Sequence, residues 1–136
     1  EKDRAVASVA YEWGRKAPED AADWVSGIED LDLRSRGMET VVETWARADA
    51  DAAGTWLGQM PASPELDRPV RSYALMVQGR DPEAAMAWAN TITDEKLRGE
   101  TVERIGGEWL RKSPGEAKAF LQSQESVPEG LQRFLQ

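Results

Sequence analysis

The sequence predicts an all-α fold: an α-α superhelix, or solenoid, of four 32-residue antiparallel helix pairs plus a C-terminal capping helix. Two aromatic columns carry the prediction. Trp13, Trp45 and Trp109 are spaced by 32 residues or a multiple of it, with Val77 in the remaining slot, and Trp24, Trp56, Trp88 and Phe120 repeat the series 11 residues later. All six tryptophans fall in these columns, and a period of this length is the mark of stacked supersecondary units. The third observation is an apolar stripe of helical spacing around each column. The units run approximately 1–32, 33–64, 65–96 and 97–128, with the cap at 129–136, in a single helical-repeat domain without an internal boundary or low-complexity linker.

The first helix of each unit is set by Val6, Met38, Val70 and Val102, then Val9, Val41, Tyr73 and Ile105, then Ala10, Val42, Ala74 and Gly106. With the first aromatic column these stand at i, i+3, i+4 and i+7, one face of an amphipathic helix. The second helix follows from Ala21, Ala53, Ala85 and Ala117, the second aromatic column, Val25, Leu57, Ala89 and Leu121, and then Ile28, Met60, Ile92 and Gln124. The alanine column lets neighbouring helices approach closely, since a larger side chain would displace a partner.

The stretch "DADAAGTW" from Asp49 to Trp56 looks at first like the opening of a calcium loop. That reading fails, because an EF-hand beginning at Asp49 needs a ligand at Ala53 and a bidentate acid at Met60. Its equivalents explain it instead: Ala17, Asp81 and Ser113 share the Asp49 column, and Pro18, Pro82 and Pro114 share the next one with Ala50. An Asp or Ser before Pro is a helix start, and Glu19, Asp51 and Glu83 then favour the positive end of the helix dipole. Ser63 before Pro64 and Thr93 before Asp94 are expected to cap the first helices of units three and four. Short links such as "RKAP" and "PASP" make consecutive helices antiparallel neighbours. At the end "VPEGLQRFLQ" begins a further helix and stops, so Leu131, Phe134 and Leu135 are expected to pack on unit four as the cap that solenoids need for solubility.

Charge and composition narrow the function. The chain holds 17 basic and 25 acidic residues, a net charge of -8, so its field repels nucleic acid and anionic membranes. Without cysteine or histidine it lacks thiolate nucleophiles, zinc-finger sites and the usual neutral-pH proton shuttle. No catalytic, cofactor-binding or metal-ligating residues are identified, and no cofactor is expected. No apolar run reaches the roughly 18 residues needed to cross a bilayer, so no direct membrane insertion is expected. The chain opens on Glu1 without a Met, and we expect an excised or processed fragment of a longer protein with further structure upstream. The cellular location and the oligomeric state are left open.

Several residue sets were weighed as sites. The tryptophans lie on the apolar stripes, where core residues belong. Glu39 and Glu43 are spaced i, i+4, as on ordinary solvated helices. Arg4, Arg36 and Arg68 recur at the starts of first helices, with Glu100 in the fourth unit, and intramolecular pairing is expected for them. Residues 1–32 carry nine acids against four bases, whereas 97–128 carry five of each, so the acidic end is a place to meet a basic partner.

The run "DPEAAMAW", followed by an arginine at Arg98 and Trp109 eleven residues later, and the closing "SVPEGLQRFL" resemble helical-repeat segments of uncharacterised bacterial proteins with recurrent DPxxAxxW units. The resemblance covers nearly the whole chain. It implies architecture, and it implies an extracytoplasmic setting behind an upstream membrane anchor. Tetratricopeptide and HEAT repeats are similar in architecture, although the period here is 32 rather than 34. Their analogy supplies the right-handed sense of the arc and the expectation of a groove for protein partners.

The expected function is therefore a non-catalytic protein-protein interaction scaffold. Second-helix positions Asp23, Ser26, Thr55, Gly58, Ala87 and Asn90 should face outward, and the residues expected to meet a protein or peptide partner are Glu19, Asp20, Asp23, Ser26, Thr55 and Asn90. Two rivals are a carbohydrate or cell-wall binder, for which Tyr11 and Trp13 are the only start, and a passive spacer in a larger anchored protein.

Overall fold

The computed structural model describes residues 2–135, apart from the side chain of Asp3. All regular structure among them is helical: α1 (Lys2–Lys16), α2 (Pro18–Ser26), α3 (Leu31–Gly58), α4 (Asp67–Val77), α5 (Pro82–Ala89), α6 (Glu95–Lys112), α7 (Pro114–Gln122) and α8 (Glu129–Gln132). Single 3-10 turns lie at Pro64–Leu66 and Arg133–Leu135. No helix among the described residues is long and apolar enough to cross a membrane.

Four sharp corners organise the chain, and they share one conformation. Ala17 (φ -143, ψ 75), Asp49 (-153, 88), Asp81 (-145, 82) and Ser113 (-142, 71) all leave the helical region for a single residue. At three of the four a proline follows, which drives the preceding residue out of the α region. Asp49 has no proline after it, and α3 continues through the break to Gly58. There the carboxylate holds the corner, Oδ1 accepting from Ala52 N at 3.1 Å, as Asp81 Oδ1 accepts from Ala84 N at 3.0 Å. Each turn is tight because the corner amide still donates four residues back: Ala17 to Trp13, Asp81 to Val77 and Ser113 to Trp109, at 2.7 to 2.8 Å.

Packing follows chain order. The helix α1 lies against α2 and α3, and the sequence continues through α3 on α4, α4 on α5, α5 on α6 and α6 on α7. Aromatic pairs close each corner: Trp13 with Trp24, Trp45 with Trp56, Tyr73 with Trp88, and Trp109 with Phe120, ring centroids 5.1 to 6.2 Å apart. The alanine column Ala21, Ala53, Ala85 and Ala117 is fully buried, so these positions have no room for a longer side chain.

Several expectations need correction. Trp13 and Trp24 are each 36% exposed, and Val9 is exposed too, whereas Trp45 and Trp109 are buried. In the described residues α1 is covered by α2 and α3 alone, so the face that its later equivalents bury stays open. Ser63 makes no side-chain cap. Pro69 lies two residues into α4, and a proline without an amide is tolerated only in a first turn, so the α-helix starts at Asp67 rather than after Ser63. The cap of α6 is Asp94, whose carboxylate accepts from Leu97 N at 2.8 Å, and Thr93 is turned to another partner. At the C-terminus Leu131 is buried and Leu135 packs on the core, but Phe134 is exposed beneath the Arg133 guanidinium. Leu131 seats on Gly106, where a methyl group would collide with it. Gln136, the last residue expected in the cap, lies outside the described residues.

Candidate functional site

The residues expected to face outward do so: Glu19, Asp20, Asp23, Ser26, Thr55, Gly58, Ala87 and Asn90 are all exposed. Three of them come together. Glu19 and Asp23 on α2 face Thr55 and Gln59 on the second half of α3 across a groove of about 420 Å³, with Trp45, Ala52 and Trp56 at its base. Asp20, Ser26 and Asn90 lie outside this groove. The Ser26 hydroxyl donates to Ala22 O at 2.7 Å and the Thr55 hydroxyl to Asp51 O at 2.9 Å, so both are turned toward their own helices. Two carboxylates and two indoles lining one groove offer charge and aromatic surface to a cation.

A second groove, of about 380 Å³, lies between α5 and the end of α3. Its α5 wall is Ala84, Ala87, Trp88 and Thr91, each 32 residues after Ala52, Thr55, Trp56 and Gln59 of the first groove. The same columns therefore line both clefts. The opposite wall differs, with Leu57, Met60, Leu66 and Val70 making it apolar and Asp67 the one acid among the lining residues.

The difference traces to the link before α4. Between α2 and α3, Asp30 caps the helix by accepting from Asp32 N and Leu33 N, and Arg34 Nε donates back to Ile28 O at 2.6 Å. Between α5 and α6 the arrangement recurs 64 residues on, with Asp94 as cap and Arg98 Nη1 donating to Ile92 O at 2.9 Å. The corresponding positions in the middle link are Met60, Ala62 and Leu66. Neither the capping acid nor the arginine is present there, and a 3-10 turn takes their place. Sequence reasoning passed over this groove, although the change from "IEDLDLR" and "ITDEKLR" to "MPASPEL" is its readable signal.

Asp67 is 7% exposed. Its carboxylate accepts from Thr93 N at 2.8 Å, Thr93 Oγ1 at 2.9 Å and Asp94 N at 3.1 Å. These bonds tie the start of α4 to the start of α6, and they are how the buried charge is tolerated.

Other charged groups serve the fold. Arg36 and Arg68 both reach Asp32, at 3.1 and 3.8 Å, the intramolecular pairing expected of these two members of their column. Glu39 accepts from Ser72 Oγ at 2.7 Å and so joins α3 to α4. Burial raises the Glu43 carboxyl above the usual range, Glu39 adds to the rise and Arg47 opposes it. Burial likewise raises the Tyr73 phenol, with Asp51 adding to the rise and Arg80 opposing it, so Tyr73 remains the donor to Ala50 O at 2.8 Å. No protein-family model, curated protein or solved structure matches the chain.

Proposed function

We propose that the chain is a non-catalytic protein-protein interaction scaffold, built as a solenoid of four 32-residue helix pairs with a C-terminal cap. Four corners of one backbone conformation, each 32 residues from the next, support the repeat. An accessible surface of 8000 Å² supports an extended stack, since a compact chain of 15.1 kDa would expose about 7,100 Å². The observation that carries the function is the pair of clefts lined by the same columns of the second helices. A chain that repeats a groove repeats a contact, and such grooves suit a peptide or helix laid across the stack.

The partner we infer is a protein or peptide with basic character. The acidic first unit favours it, and the net charge of -8 disfavours nucleic acid. Capture from source-cell extract tests the reading. Reversing Glu19 and Asp23 to lysine should release the captured protein, whereas reversing Asp20, which is equally exposed but outside the cleft, should retain it. Equal behaviour of the two variants contradicts recognition at this cleft.

One observation favours a carbohydrate-binding module as second reading. Trp13 and Trp24 are each 36% exposed, and their rings pair with centroids 5.9 Å apart. Titration with soluble cell-wall oligosaccharides should then quench tryptophan emission in the native chain and not in Trp13→Ala.

A further inference from the structure

The links before α3, α4 and α6 differ in one respect, and beside the exception a cleft of defined chemistry opens. At the outer two, an arginine of the chain folds back and donates to a carbonyl just beyond the end of the preceding helix, Arg34 to Ile28 O and Arg98 to Ile92 O. At the middle link the equivalent carbonyl is that of Met60, and Leu66 stands where the arginine would be. Among the described residues no side chain donates to the Met60 carbonyl, and no lysine or arginine pairs with Asp67. The apolar cleft opens at this place, with Met60, Leu66 and Asp67 in its lining and Trp88 across from them.

We propose that this cleft binds an arginine side chain presented between apolar residues of a partner polypeptide, its guanidinium taking the place that Arg34 and Arg98 fill at the neighbouring links. The inference rests on the interaction-scaffold reading and names what the second cleft recognises. A planar guanidinium can give one edge to the Met60 carbonyl and another to the Asp67 carboxylate, which retains acceptor capacity beyond its three bonds. Trp88 lines the same space and puts an indole beside the cation, and Leu57 and Val70 receive the apolar residues beside it. A carboxylate in an apolar wall also rejects acidic segments, because a second negative charge would be desolvated next to it.

The test is a titration of the whole chain, labelled with nitrogen-15, with acetyl-Leu-Arg-Leu-amide and with its citrulline counterpart, which keeps the shape and loses the charge. The arginine peptide should move the Trp88 indole signal and the Gly58 and Thr91 amides in a saturable way, and the citrulline peptide should bind roughly tenfold or more weakly. Leu66→Arg, which supplies the missing side chain from within, should block the site. Ala87→Leu should block it from the exposed side without touching the core, so the result does not depend on the buried substitution. Equal binding of both peptides, shifts centred on Trp56 instead, or no shift at millimolar peptide would each overturn the proposal. Capture of a partner that still depends on Glu19 and Asp23 would then leave the scaffold reading standing, while binding of the peptide without such capture would remove only the acidic cleft.

Discussion

Gly54 and Tyr73 are matched to one another. A methyl at Gly54 would collide with the Tyr73 hydroxyl and ring, and that hydroxyl donates to Ala50 O from the neighbouring helix. Gly54→Ala should lower stability by about 1 to 3 kcal/mol through overpacking, and Tyr73→Phe by about 1 kcal/mol through the lost hydrogen bond. The double variant should lose less than the sum in urea denaturation, because the clash is with the atom the second change removes. Glu43 gives a pH signature. Since burial and Glu39 raise its carboxyl, the folded state binds that proton more tightly than the unfolded state. The group therefore subtracts stability as pH rises from the usual 4.5 through the folded value. Glu43→Gln should raise the melting temperature at neutral pH, and the gain should vanish once both states are protonated in acid. The aromatic columns differ by position. Trp109→Ala, at a buried site, should lose about 3 to 5 kcal/mol, and Trp13→Ala, at an open one, less than half as much.

At the scale of elements, the corners and the links were legible to different degrees. Three of the four corners can be read from the proline that follows them at Pro18, Pro82 and Pro114, and the fourth, Asp49, from its place in the same column and its capping carboxylate, because local rules fix them. The middle link could not be read locally. "SP" at Ser63 and Pro64 has the form of a helix start, yet Pro69 further along decides where α4 begins, and Asp67 reaches 26 residues away to Thr93. That long-range contact takes up Thr93, whose place before Asp94 has the form of a cap. Asp67→Ala should cost about 3 kcal/mol, since it strands the Thr93 and Asp94 amides and the Thr93 hydroxyl. Hydrogen exchange should locate the loss at the start of α6, with the α1 and α2 amides little changed.

For the whole molecule, periodicity told which faces are apolar but not which of them acquire a neighbour. Trp13 and Trp45 share a column, and their exposure differs because α3 has a helix on either side of it while α1 does not. The clefts were half legible for the same reason. Glu19, Asp23 and Thr55 could be placed on outward positions from their spacing; what the link beside Asp67 lacks relative to its equivalents is written in the sequence, but that a cleft opens there is displayed only by the packed structure. In the solenoid we propose, both clefts depend on the helix pairs being stacked in line, so the overall shape is the property to measure first. Small-angle scattering gives it directly: a stack of four helix pairs with layers about 10 Å apart is about 40 Å long and half as wide, so its pair-distance distribution should be skewed, with a tail reaching beyond about 45 Å. A symmetric, bell-shaped distribution ending near about 40 Å, that of a compact globule of this length, would contradict the stack and with it the repeated cleft.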